Sequence, residues 1–154
     1  MSKAPDIVHP KLRQLYDYWD GKRAGRDMPS RADLDPVEMR FVIGNVILVD
    51  VLGEKPLDFR IRLHGTNLSE RVGFDLTGKM LDALPLPEFR ELTRQSFAKV
   101  ATTKQPLHAH RDRILDSRRR FYETIILPLS SDGERVDRIL CGLFYDYVDV
   151  EATR

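Results

Sequence analysis

The chain has 154 residues, 42% of them hydrophobic, and its 25 Lys+Arg against 24 Asp+Glu leave a net charge of +1. One domain's worth of chain with that apolar content can bury a core, which excludes charge-driven disorder, a two-domain layout and an obligate, strongly basic nucleic-acid binder. The single cysteine, Cys141, allows neither an internal disulfide nor a cysteine-rich zinc site and predicts a reducing, cytoplasmic address. No apolar run reaches the roughly 18 residues of a membrane span, and residues 1–10 lack the apolar core of a signal peptide.

In residues 8–19, Val8, Leu12, Leu15, Tyr16 and Trp19 recur at three- and four-residue intervals, which predicts an amphipathic helix ended by Gly21. Its stripe must lie on the chain's own sheet or on a second copy. Residues 21–35 are polar, contain Gly25 and Pro29, and show no period, so they read as a loop long enough to need pinning contacts. Asp35, Pro36 and Glu38 then supply an N-cap acceptor, a first-turn proline and a third-position glutamate, predicting a short helix that ends near Gly44.

Residues 45–52 form a β-branched run, and residues 58–64 alternate, with Phe59, Ile61 and Leu63 on one face and Arg60, Arg62 and His64 on the other. With Gly53 and Pro56 between them, the two runs predict a β-hairpin. Glycine breaks at Gly73 and Gly78 suggest short helical turns, and Pro85 and Pro87 precede a longer helix to about Thr103. Strands follow at residues 106–114, 120–129 and 135–148, separated by Asp116-Ser117 and by Ser130-Ser131-Asp132-Gly133. Strands on either side of a helical insert predict an α+β fold with an antiparallel sheet.

Pro29-Ser30-Arg31-Ala32-Asp33-Leu34-Asp35-Pro36, Leu48-Val49-Asp50-Val51, Phe59 to Thr66 (FRIRLHGT) and Asp75-Leu76-Thr77-Gly78 stand in an order and spacing that resembles a family of short stand-alone bacterial PAS proteins. The resemblance spans about Leu12 to Val148. It implies a five-stranded antiparallel sheet with a helical crossover on one face and the N-terminal helix on the other. On that reading residues 1–28 are the helix and its connecting loop, and residues 29–150 are the PAS domain. The resemblance further implies a sensory or adaptor role, ligand sensing or protein–protein interaction, often a homodimer, and no catalysis. Two cofactor subclasses do not fit: residues 65–84 lack the cysteine of flavin-cysteine photochemistry, and residues 88–103 lack the histidine of helix-ligated haem.

The implied ligand pocket has a helical wall that includes Leu68, Met80, Leu84, Phe89, Leu92 and Phe97 and a sheet wall that includes Ile61 and Leu63. In the fourth strand Tyr122, Thr124 and Ile126 are expected to point inward, since the opposite choice would bury the Glu123 carboxylate. Tyr122 and Thr124 would then be polar handles in an apolar cleft suited to a small apolar or aromatic ligand. A solid core made by the same residues is the competing expectation. The dimer interface is expected on Val8, Leu12, Leu15, Tyr16 and Trp19.

His108 and His110 share a strand face at metal-ligand spacing, but Leu107 and Ala109 make the better core face and leave both histidines as an exposed polar pair. Arg111, Arg113, Arg118, Arg119 and Arg120 gather positive charge at one hairpin, diluted by Asp112 and Asp116 and without interleaved aromatics, so an acidic protein surface suits them better than nucleic acid. Gly73 and Thr77-Gly78-Lys79 match the spacing of a phosphate loop, yet Met80 stands where a magnesium-holding hydroxyl belongs. Cys141 has no cationic neighbour in sequence and reads as a buried, inert thiol. No nucleophile, metalloprotease or phosphate motif is complete, so no catalytic or metal residue is assigned. The output is expected to pass through an unidentified signalling partner. A small α+β enzyme of hot-dog or cystatin-like fold and a ligand-free scaffold are the alternatives.

Overall fold

The computed structural model describes residues 5–115 and 118–149, with side chains described outside 111–121 and 146–149. The arginine-rich hairpin expected from Arg111, Arg113 and Arg118 to Arg120, with Asp112 and Asp116, therefore lies outside the described side chains. Five strands, β1 (Val46–Leu52), β2 (Asp58–His64), β3 (Leu107–Leu115), β4 (Arg118–Leu129) and β5 (Arg138–Asp149), form one antiparallel sheet in the order β2-β1-β5-β4-β3. This is the five-stranded α+β architecture that the sequence predicts. Because β2 and β3 occupy opposite edges, the chain between them must cross the full width of the sheet. Helix α2 (Thr66–Val72), a 3-10 turn at Leu81–Ala83 and helix α3 (Pro87–Thr103) make that crossing on one face.

Helix α1 (Pro10–Arg23) covers the other face. Pro10 starts it where no intrahelical N–H is lost, and the His9 Nδ1 accepts the Lys11 N–H at 3.1 Å as the N-cap. The helix runs past Gly21, whose α-carbon faces open space, and stops where Ala24 and Gly25 take φ of 50° and 84°. The following loop is pinned as expected. Arg26 donates to the carbonyls of Lys22 and Arg23 and to Asp33, and Ser130 donates its N–H to the Pro29 carbonyl.

The sheet separates two apolar cores. Met28, Val49, Val51, Phe59, Ile61, Phe97, Val100, Ile126 and Ile139 pack beneath the crossover helices. Leu12, Leu15, Trp19, Leu48, Ile125, Leu127, Leu129 and Leu140 pack beneath α1. Gly142 lets α1 approach β5, since a Cβ there would meet the Leu15 and Leu12 methyls at 2.7 and 2.8 Å. The Trp19 indole donates to the Pro128 carbonyl at 2.9 Å, so the one polar atom of that ring is satisfied in the interior.

Three expectations are corrected. First, Leu12, Leu15 and Trp19 lie at 0, 0 and 1% exposure on their own sheet, so they are not a free dimer interface; Tyr16 packs partly beside them, and Val8 points outward. The physical reason is that two curved layers leave the outer sheet face apolar, and this stripe is what covers it. Second, residues 36–42 form successive turns instead of a helix, closed by bonds such as Met39 N–H to Pro36 carbonyl and Val42 N–H to Met39 carbonyl. Asp35 does accept the Val37 N–H, but so short a segment lays Met39 and Val42 on the sheet better as turns.

The third correction concerns β2. Its register against β1 shifts between Leu48 and Val49, pairing Leu48 with Leu63 and Val49 with Ile61, so Arg62 is an extra, bulged residue. The strict alternation read from the sequence breaks there. Leu63 swings to the α1 face and is 37% exposed, while His64 swings beneath the crossover and is buried.

Candidate functional site

The most connected polar group of the fold is Glu123 in β4, at 0% exposure. It lies on the α1 face, as do its register neighbours His110 in β3 and Phe144 in β5. One carboxylate oxygen accepts the Val8 N–H at 2.8 Å and contacts the His108 Nε2 at 2.6 Å; the other accepts the His9 N–H at 2.7 Å. The His9 ring stacks on Phe144 with centroids 3.9 Å apart. Burial by itself raises the Glu123 pKa, but the Val8 N–H, the His108 imidazole and the His9 N–H together hold it below the usual carboxylate value. A strand carboxylate thus fastens the segment that leads into α1.

This arrangement keeps Tyr122, Thr124 and Ile126 on the crossover side, where the sequence places them, and overturns the reason given for it. Glu123 is buried either way. Its cost is offset because two backbone donors and an imidazole converge on it, and those donors are more than 100 residues away in sequence or on another strand. His108 and His110 do lie opposite Leu107 and Ala109, but His108 is held under the N-terminal segment and is not an exposed metal pair. Among the described residues no group of three or more His, Cys, Asp or Glu could hold a metal ion.

Of the residues expected to line a ligand pocket, Leu68, Phe97 and Ile126 are buried, and Met80, Tyr122 and Thr124 are half-buried. Phe59 and Phe97 meet edge to face at 5.5 Å, filling the layer between α3 and the sheet. The Thr124 hydroxyl donates to the Gly142 carbonyl at 2.8 Å, so it is already used within the sheet. Two residues lie elsewhere. Phe89 is 43% exposed on the outer side of α3, because that helix turns only Phe97 and Val100 fully inward, and the bulge carries Leu63 to the α1 face. Leu92, counted in the same wall, is 42% exposed.

Beneath the crossover, the His64 Nδ1 accepts the Leu76 N–H at 3.1 Å, and its own N–H end of the backbone donates to the Thr77 hydroxyl at 3.0 Å. Burial lowers the His64 pKa, only partly opposed by Asp75, which keeps the ring neutral and Nδ1 free to accept. Cys141 is buried, and burial pushes its thiol up to about 11, the inert state expected of it.

On the α1 face a second carboxylate, Asp50, is 4% exposed and gathers three arginines: Arg60 at 3.0 Å, Arg62 at 3.0 Å and Arg138 at 3.1 Å. Burial raises its pKa, and the guanidinium groups more than reverse that. Sequence reasoning missed this cluster. The visible signal was Arg60 and Arg62 on β2 opposite an acidic residue in β1, but the Arg138 contribution needs the β1–β5 register.

A sheet in the order β2-β1-β5-β4-β3 with a helical crossover from one edge to the other narrows the fold to few families, and a family model described as PAS domain matches residues 7–144. The chain belongs to the PAS-domain family. The PAS domain of BvgS from Bordetella pertussis is a similar solved structure, with a TM-score of 0.50 at 16% identity over 92% of this chain and 93% of that one. No curated protein matches the chain. Family membership places this PAS domain among sensory and regulatory modules in general. No helix among its described residues is long and apolar enough to cross a membrane.

Proposed function

We propose that this PAS domain is a regulatory module that signals without catalysis, by changing how its N-terminal segment is held against the sheet when a protein partner binds. The observation that supports this reading is the Glu123 clasp. Residues 5–9 are outside any helix and Val8 is 65% exposed; Ile7 is buried in the α1-side core and the His9 ring stacks on Phe144, while the backbone N–H groups of Val8 and His9 are both held by one buried carboxylate. A short segment held by one carboxylate, one buried side chain and one ring stack has two natural arrangements, fastened and released, and a partner that binds one better shifts the population toward it.

The crossover side supports a partner as the input more than a resident small molecule. Phe59, Phe97, Ile126 and their neighbours already fill one another's contacts there. An apolar or aromatic ligand lodging against Leu68, Met80, Phe97, Tyr122 and Ile126 would have to displace them, at the cavity and repacking costs typical of a dense interior.

Hydrogen exchange followed by mass spectrometry tests the clasp. Glu123→Gln keeps the shape but places an amide donor among the Val8, His9 and His108 donors. The expected result is faster exchange in residues 8–19 with β1, β4 and β5 still protected. Unchanged exchange in that segment refutes the reading. His108→Gln serves as a milder second variant, expected to act in the same direction. Native mass spectrometry of freshly purified protein addresses the ligand: a reproducible extra mass that disappears on Phe97→Trp would place a small molecule beneath the crossover instead.

A further inference from the structure

Beside α1 the outer face of the sheet carries a groove of about 140 Å³, lined by Arg31, Leu34, Met39, Leu48, Leu63 and Leu140 among others. We infer that this groove and its arginine rim form a docking site for an acidic, apolar-anchored segment of a partner protein. The floor is apolar because the β2 bulge turns Leu63 onto the same face as Leu48, and β5 adds Leu140. Its volume is well below the roughly 300–1,000 Å³ of a drug- or cofactor-sized pocket, and suits one or two apolar side chains.

The rim supplies the sign of the charge. Asp50 lies two residues along β1 from Leu48, on the same face and about 7 Å away. Around it stand Arg60, Arg62 and Arg138, with side chains 43, 49 and 29% exposed over a carboxylate that is 5% exposed. Three guanidinium groups against one buried carboxylate leave an excess of positive charge turned outward. Asp50 thereby fixes the arginines in place before anything binds, which lowers the ordering entropy lost on association. Arg62 engages Asp50 through its Nε and keeps a side chain 49% exposed, so its terminal nitrogens are open to an incoming acceptor's approach. Arg31, which lines the groove itself, adds a fourth cation. An apolar anchor flanked by carboxylates matches both features, and a basic or purely apolar segment matches only one.

The inference stands apart from the Glu123 clasp, since neither the groove nor its rim includes Glu123, His9 or His108. The probes are three labelled heptapeptides carrying Leu, Phe or Trp between flanking triads of glutamate, with a control in which the triads are lysine. Amide resonances of the intact chain are followed during titration up to about 1 mM, the weak end of specific binding. Expected are shifts centred on Leu48, Leu63 and Leu140 with at least one acidic peptide, weakening with added salt, and a loss of about tenfold or more in affinity for both Leu63→Asp and Arg62→Glu. Leu63 is exposed, so its variant tests the site without emptying the core; Arg62→Glu is checked for folding by its spectrum. No shifts with any acidic peptide, equal binding of the lysine control, or unchanged affinity in both variants overturns the inference. Anionic phosphatidylglycerol vesicles or a second copy of the chain occupying the groove in place of the peptides, with loss in Leu63→Asp, also overturns it and assigns the surface to that occupant.

Discussion

The two faces of the sheet are built on different physical terms. Beneath the crossover the contacts are almost wholly apolar, centred on Phe59, Phe97, Val100 and Ile126, with one neutral imidazole, His64, tying down the Leu76–Thr77 turn. Beneath α1 the apolar stripe of Leu12, Leu15 and Trp19 shares its face with two buried carboxylates, Glu123 and Asp50, each ringed by donors or cations. Apolar burial is non-directional and can repack, whereas a buried carboxylate has few acceptable geometries. Both faces therefore supply stability through their apolar cores, and the α1 face in addition supplies position: where the leading segment sits and where positive charge is displayed.

The sharpest way to break that contrast is to remove bulk from each core. Phe97→Ala should destabilise by about 3–5 kcal/mol and Leu15→Ala by about 2–5 kcal/mol, measured by urea unfolding. If Leu15→Ala is neutral in stability but lowers an oligomeric mass, the α1 stripe belongs to an interface after all.

Glu123→Gln should remove about 1–3 kcal/mol at neutral pH. Because the folded Glu123 carboxyl titrates below its ordinary value of 4.5, its contribution is present above that value and lost as pH falls through the lower folded value. The wild type and Glu123→Gln should therefore converge in strong acid; a constant gap down to low pH would show that charge is not what the clasp uses.

The histidines sharpen the comparison at milder pH. The folded His64 takes up its proton below the ordinary 6.5, and its ring must stay neutral to accept from Leu76. Stability should thus fall as pH drops below 6.5, because the unfolded state binds the proton first. His64→Gln, which keeps an acceptor, should flatten that slope in pH-dependent unfolding midpoints. The residual slope reports His9, which burial also lowers and whose neutral Nδ1 caps α1. The smallest effect is expected at Phe89. Despite its size, its exposure predicts that Phe89→Ser changes stability by no more than about 0.5 kcal/mol, and a larger loss would place it in a pocket wall.

What could be read from the chain follows from the range of the interactions involved. The β-branched run of β1, the Pro87 start of α3 and the three- and four-residue spacing of α1 are local patterns, and all three elements are present there, with α1 running past the expected stop at Gly21 to Arg23. Residues 36–42 show the limit of the same logic, since a capping signature cannot make a helix of a segment whose inward residues, Met39 and Val42, fit the sheet as turns. In the candidate site, the inward set Tyr122, Thr124 and Ile126 was legible from alternation, but Glu123 was misjudged. Its donors arrive from Val8, His9 and His108, and no local rule connects those positions.

The amino-acid sequence by itself determined the five strands, the two longer helices, their order and the apolar stripes that demand covering, because these depend on periodicity within a few residues. The tertiary structure alone decided which surface each stripe covers, the bulge at Arg62 that exchanges the sides of Leu63 and His64, and the partners of Glu123 and Asp50. Those outcomes rest on strand register and on contacts between distant segments, where a shift of one residue turns a side chain from one face of the sheet to the other.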